Sequence, residues 1–238
     1  MLIDAHNHVG VRYGARQTGT DLVHKLDQAG IDRAVIFPFT EGNFSNDSVA
    51  AYFGEFPDRL IPFCSVNPWD ANTAVAEVSR RLADDNFRGV KLHPTLHGYN
   101  LADHGLVDSI FDVADKHSVP IIVHGASDLY NSPLAFAEMA QSFPNVPLLM
   151  AHMGTFWLFQ QAIELAAKLP NLYLETSRAP VFEIGEAVKA LGAEKVIFGT
   201  DSPFVDYEWE VSKMKRVAPN SEDYSLIMGG NIARLLSL

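Results

Sequence analysis

Cysteine is nearly absent from this chain: Cys64 stands alone among 238 residues. No intrachain disulfide can form, which fits a reducing compartment. Its setting, Ile61-Pro-Phe-Cys-Ser-Val66, reads as a buried strand, so a core thiol is expected and not a nucleophile. Basic residues are also scarce, 18 Lys and Arg against 29 Asp and Glu, for a formal net charge of −11. Nucleic-acid binding needs a basic face to displace counterions, and the only basic doublet, Arg80-Arg81, lies in a helix-like stretch. That class of partner is excluded. No apolar run approaches the ~20 residues needed to span a bilayer, so no membrane association is expected. Met1 leads directly into Leu2-Ile3 with no basic leader or cleavage signal, and a cytoplasmic protein is expected. Neither G-x-G-x-x-G nor G-x-x-x-x-G-K-[ST] follows any apolar run, which leaves nucleotide-binding folds without direct support.

What the chain does have is alternation. Short apolar runs at Leu2–His6, Ala34–Pro38, Leu60–Val66, Gly89–His93, Pro120–His124, Pro147–His152, Leu172–Glu175 and Val196–Thr200 read as strands. Most are continuous, as expected for parallel strands covered on both faces. Between them lie helix-like segments, among them Thr18–Ala29 ending at Gly30, Asn72–Asp84, Leu106–His117, Phe156–Leu169 and Phe182–Leu191. Phe56-Pro-Asp-Arg-Leu60, Phe143-Pro-Asn145 and Leu169-Pro-Asn171 each end a helix and turn into a strand. The tail, Tyr224–Leu238, reads as one or two closing helices. Strict β-α alternation allows a closed barrel or an open doubly wound sheet. Eight strands in this length favour an α/β protein with a (β/α)8 TIM barrel, formed as a single domain over residues 1–238.

A barrel keeps its active site at the C-terminal ends of its strands. Those ends read His6-Asn7-His8, Lys91-Leu92-His93, His124, His152 and Asp201 for strands one, four, five, six and eight. Chance would scatter nine histidines, yet five fall at strand ends, while His24 and His117 fall on helices. Residues i and i+2 on a strand share a face, so His6 and His8 can grip one ion from one side. Neutral imidazole suits zinc, iron or manganese, and a carboxylate such as Asp201 balances the charge. A lone H-x-H pair is weak evidence; within this eight-strand pattern it becomes a metal site.

The motifs Ile3-Asp-Ala-His-Asn-His8, Gly89-Val-Lys-Leu-His-Pro94, Val123-His-Gly125, Ala151-His-Met-Gly154, Phe198-Gly-Thr-Asp-Ser-Pro203 and Asn231-Ile-Ala-Arg-Leu-Leu236 resemble the amidohydrolase superfamily. The resemblance is strongest to its amidohydrolase-2 family of TIM-barrel metal-dependent hydrolases, relatives of aminocarboxymuconate-semialdehyde decarboxylase. It runs from residue 2 to residue 236. It implies metal ligands at His6, His8, His124 and Asp201, with Asp201 and His152 as the catalytic pair that moves protons. Lys91 could be a carbamylated bridge between two ions, a plain substrate-binding lysine, or structural. His93 is a further candidate ligand or substrate contact, as is His152, and Arg178 could clamp a substrate carboxylate. Arg12, Tyr13, Asn67, Phe156 and Trp157 are weaker rim candidates. Trp69 and Trp209 read as packing, and Asp4 as a buried hydrogen-bonding group on the face of His6.

The expected cofactor is a divalent metal, zinc first with manganese or iron as alternatives. The expected reaction is hydrolysis of an amide, lactone or other acyl bond by a metal-activated water, on a small polar, carboxylate-bearing substrate. The alternative is a metal-dependent, non-oxidative decarboxylase of an aromatic or muconate-like acid, which would use the same ligands. A non-catalytic ligand-binding barrel predicts a missing ligand, and every expected position is filled. The resemblance also implies a possible homodimer, for which no interface is legible.

Overall fold

The computed structural model describes residues 1–12, 14–41, 44–218 and 220–238. Its elements, in chain order, are β1 (Ile3–Arg12), β2 (Ala15–Gln17), α1 (Gly19–Ala29), β3 (Arg33–Pro38), α2 (Asn46–Glu55), β4 (Leu60–Pro62) and β5 (Cys64–Ser65). Next come α3 (Asn72–Asp84), β6 (Val90–Leu92), α4 (Pro94–His97), α5 (His104–His117), β7 (Ile121–His124), α6 (Pro133–Ser142), β8 (Leu148–Ala151) and α7 (Phe159–Ala166). The chain ends with β9 (Leu172–Glu175), α8 (Val181–Leu191), β10 (Val196–Ile197), α9 (Tyr207–Val217), α10 (Ser221–Ser225) and α11 (Asn231–Leu235).

Apart from β2, every strand runs parallel to its neighbour, in the order of the chain. The third strand of the sequence reading divides into β4 and β5 at Phe63, which hands the ladder over. Phe63 donates its backbone N–H to Ile36 O at 2.8 Å, and Cys64 donates to Gly89 O at 3.0 Å. The eighth strand meets the first through Ala5 N–H to Phe198 O (3.0 Å), Asp201 N–H to His6 O (2.9 Å) and His8 N–H to Ser202 O (2.8 Å). The result is the (β/α)8 barrel of α/β type that the alternation predicts.

The two faces of the strands carry two cores. Ile3, Val35, Phe37, Ile61, Ile122, Leu149 and Ile197 pack inside the barrel, while Ile36, Leu60, Val90, Val123, Met150 and Leu174 pack under the helices. Cys64 belongs to the outer core, and burial pushes its thiol up to about 12, so it is the inert group the sequence suggests. Ile232 and Leu236 of the closing segment join the inner core. Among the described residues no helix is long and apolar enough to cross a membrane.

Local sequence explains where elements begin and end. Helix α1 starts at a capping box in which Thr18 and Asp21 satisfy one another's backbone N–H groups, at the first residue of the segment the sequence marks as helical. It stops at Gly30, whose φ of 68° only glycine adopts cheaply. Helix α7 begins at Phe159 instead of Phe156, because residues 152–154 form a 3₁₀ turn with Met153 and Gly154 at positive φ.

Strand β1 departs most from expectation. It runs to Arg12 because β2 folds back on its polar end, pairing Gly10 with Gln17 and Arg12 with Ala15. Its register against β3 also shifts between Asp4 and Asn7. An extra residue in one strand re-aims the side chains around it. Asp4 consequently does not share a face with His6: it turns outward to the Tyr207 hydroxyl on α9 and to Thr200, while His6 turns inward onto the Phe37 ring, 5.1 Å between centroids.

Candidate metal centre

The bulge in β1 delivers His6 and His8 together to the C-terminal mouth of the barrel, where Asp201 arrives from beyond β10 in a left-handed conformation (φ 60°). His6 Nε2 and His8 Nε2 each lie 3.2 Å from Asp201 Oδ1. The donor atoms of these three residues all fall within 4.8 Å of one another, close enough to share one ion. All three are buried.

The far side of each imidazole decides which nitrogen is free. His6 Nδ1 donates to Glu175 Oε2 at 2.8 Å, and His8 Nδ1 faces Pro38 O at 3.4 Å. Nδ1 of each ring is thus engaged from behind, and Nε2 is the nitrogen turned to Asp201, available to an ion once it carries no proton. Two imidazole lone pairs and one carboxylate form a donor set suited to a divalent transition metal or zinc. The residues present fit the group.

Electrostatics agree. Burial holds His8 down to about 4, against the pull of Asp201, so its ring is neutral. Burial opposes ionisation of Asp201, yet His6 and His8 hold its carboxyl well below the usual carboxylate range. Burial and Lys91 push His6 down, while Glu175 and Asp201 outweigh them and leave it raised; an ion would displace that proton. Burial alone brings Lys91 down to about 8, although Asp201 and Glu175 pull the other way. Its ammonium sits 3.4 Å from His6 Nε2 and 4.7 Å above the Phe37 ring.

The other expected residues surround this triad. His152 is buried with its ring tilted at 5.1 Å from that of His6, and burial holds it well below its ordinary value. Its Nδ1 meets the Ser177 hydroxyl at 2.9 Å and Ser177 O at 3.2 Å. His124 lines the same cavity, 4.9 Å from the His152 ring, but its Nε2 faces Asp128 Oδ2 at 3.2 Å. His124 is thus near the triad without converging on it. His93 stacks on His124 at 4.0 Å and accepts from the Leu96 N–H, and burial, then His124, pushes it down. Arg178, at a φ of 63°, reaches Asp201 Oδ2 with Nη1 at 3.2 Å. A second donor group, His6, His152 and Glu175, also lies within 4.8 Å, but hydrogen bonds from His6 and Ser177 already occupy its carboxylate.

These side chains line a cavity of ≈ 640 Å³. Phe156, Trp157, Phe204 and Trp209 form its outer wall. Trp209 is more than half exposed there, so it is not the packing residue its sequence context suggests. Arg12 pairs with Glu41 and lies over Phe204, while Asn67 only caps the turn at Trp69. Tyr13 lies outside the described residues. Glu175 and Ser177 escaped the sequence reading, although Glu175-x-Ser177 repeats at the end of β9 the i, i+2 pattern that exposed His6 and His8.

No curated protein sequence matches the chain. Among solved structures, 5-carboxyvanillate decarboxylase from Sphingomonas paucimobilis superposes with a TM-score of 0.82 at 15% identity, covering 100% of this chain and 99% of that one. A dihydroxybenzoic acid decarboxylase from Polaromonas, with bound manganese and 2-nitroresorcinol, gives 0.79 at 14% identity over 100% and 97%. A probable 2-pyrone-4,6-dicarboxylic acid hydrolase from Acinetobacter baumannii gives 0.75 at 18% identity over 100% and 99%. These likenesses concern the fold. The family model described as amidohydrolase matches residues 3–238, and with that match the chain belongs to the amidohydrolase-2 family.

Proposed function

We propose that the chain is a metal-dependent, non-oxidative decarboxylase of a small aromatic or similarly unsaturated acid, with residues 1–238 working as one domain. One observation carries the reading: the Arg178 guanidinium stands beside the metal-ligand triad and opens into a cavity walled by Phe204, Trp157 and Trp209. A cation for a carboxylate, set against an apolar wall for a flat ring, suits an aromatic acid. Two of the three related structures described above are decarboxylases of such acids.

The divalent ion would be held by His6, His8 and Asp201, with His124 as a nearby further ligand. When bound, it would supply positive charge that orients the acid and stabilises charge developing on it. Manganese is favoured over zinc by the manganese of the related decarboxylase, and zinc remains the alternative. Arg178 binds the substrate carboxylate. As the carbon–carbon bond breaks, carbon dioxide leaves and the electron pair stays on the ring carbon, which must receive a proton. His152, with Nδ1–H committed to Ser177, has Nε2 free to take a proton from a ring hydroxyl of the substrate and pass it to that carbon, and Asp201 is the second proton carrier. Lys91 and His93 complete the polar floor.

A hydrolytic reading has its own support, the likeness to the pyrone dicarboxylate hydrolase. In it the same His152 and Asp201 take a proton from water and give it to the leaving group. A release assay separates the two. Carbon dioxide from a panel of hydroxylated benzoic acids, without turnover of lactones or amides, supports decarboxylation. Turnover of lactones or amides without carbon dioxide release overturns it.

A further inference from the structure

The carboxylate of Glu175 is fully buried behind the triad and has three donors on it. His6 Nδ1–H reaches Oε2 at 2.8 Å, the Ser177 hydroxyl reaches the same oxygen at 2.8 Å, and the Ser177 backbone N–H reaches Oε1 at 2.6 Å. Its two oxygens serve as acceptors for all three groups, which fixes the direction of every bond around them. The Ser177 hydroxyl spends its single proton on Glu175. Its oxygen can then only accept from His152 Nδ1, 2.9 Å away, and the Ser177 carbonyl accepts from the same N–H at 3.2 Å.

We propose that Glu175 is a positioning residue that sets the tautomers of two histidines at once: His6 directly, and His152 through the Ser177 hydroxyl. Both rings carry their proton on Nδ1 and present Nε2 to the cavity, so one buried carboxylate organises the metal side and the proton-carrying side of the site. The inference rests on His6 as a metal ligand and His152 as a proton carrier, but the tautomer coupling itself needs neither metal nor substrate. An alanine at 175 would break the logic, because it removes the acceptor of His6 Nδ1–H and of the Ser177 hydroxyl together, which share one carboxylate oxygen. A glutamine would not, since its amide nitrogen can face the Ser177 backbone N–H and leave its oxygen to the other two.

The test is 15N–1H correlation of the imidazole rings in the metal-free protein, with manganese titration as an independent readout. In the unsubstituted protein His152 should show the Nδ1–H form, and His6 an Nδ1–H on Glu175 whatever the proton count at its Nε2. Ser177→Ala leaves His152 Nδ1 only the longer carbonyl contact at 3.2 Å, so its ring should shift toward a tautomer mixture while His6 and manganese affinity stay within about threefold of the parent. Ser177→Thr, which keeps the hydroxyl, should restore His152. Glu175→Ala should disturb both rings and weaken manganese binding by roughly 10–100-fold. If His152 keeps its tautomer in Ser177→Ala, or His6 keeps its own in Glu175→Ala, the coupling is refuted. Should Glu175→Ala fail to fold, the Ser177 pair alone decides. Correct tautomer responses in a protein that binds no manganese would overturn the metal reading and leave the coupling standing.

Discussion

A β-carbon on Gly199 would lie 2.2 Å from Glu175 Oε1. The same atom would come within 2.9 Å of His6 Cβ, so the last strand can pass the Glu175–His6 pair only as bare backbone. Overpacking of this kind costs about 1–3 kcal/mol in ordinary cores. Here it falls on Glu175 and on His6, the proposed metal ligand. Gly199→Ala is expected to melt several degrees lower and to bind manganese at least tenfold more weakly, by calorimetry. Parent-like affinity would mean Glu175 does not hold His6.

Arg178 carries the substrate side of the account. A hydrogen bond to a charged group is worth about 1.5–3 kcal/mol, so its loss should raise KM roughly 10–100-fold for the acid identified by carbon dioxide release. Arg178→Lys should recover only part of this, because an ammonium cannot grip a carboxylate at two points. Steady-state kinetics of both variants make the comparison. An unchanged KM in Arg178→Ala would remove the arginine from carboxylate binding.

Glu210 gives stability a pH dependence. It lies almost fully buried on α9, paired with Lys213 at 2.5 Å, and burial raises its carboxyl from 4.5 to about 7 despite that partner. The folded state therefore binds the proton more tightly than the unfolded chain. The resulting stabilisation is complete below about 4.5 and is lost as pH rises through about 7. Glu210→Gln has no such proton, and its unpaired Lys213 adds a constant offset across this window. Parent Tm minus variant Tm should fall by about 5 °C between these limits and then level off. A flat or rising difference contradicts the assignment.

Much of this was legible because barrels write simple patterns. Continuous apolar runs such as Ile121–Val123 alternate between two cores, and histidines placed just after such runs must emerge at one rim. His6, His8, Lys91, His93, His124, His152 and Asp201 accordingly line one cavity. What resisted reading depends on single-residue geometry. A bulge shifts the pleat by one residue and leaves no mark in composition, so Asp4 and His6 part company without warning. The direction of the His124 ring is set by Asp128, four residues on in a loop whose path periodicity does not encode. Glu175 went unnoticed because a carboxylate at a strand end reads as an ordinary charge until His6, 169 residues away in sequence, is folded against it.

We propose that His6, His8 and Asp201 hold one divalent ion at the mouth of the barrel. Anomalous diffraction from crystals grown with manganese would locate the ion. A peak is expected within about 2.2 Å of His6 Nε2, His8 Nε2 and an Asp201 oxygen, absent in Asp201→Asn crystals of the same form. An empty triad at saturating manganese, or an ion bound only between His152 and Glu175, would rule this ligand set out.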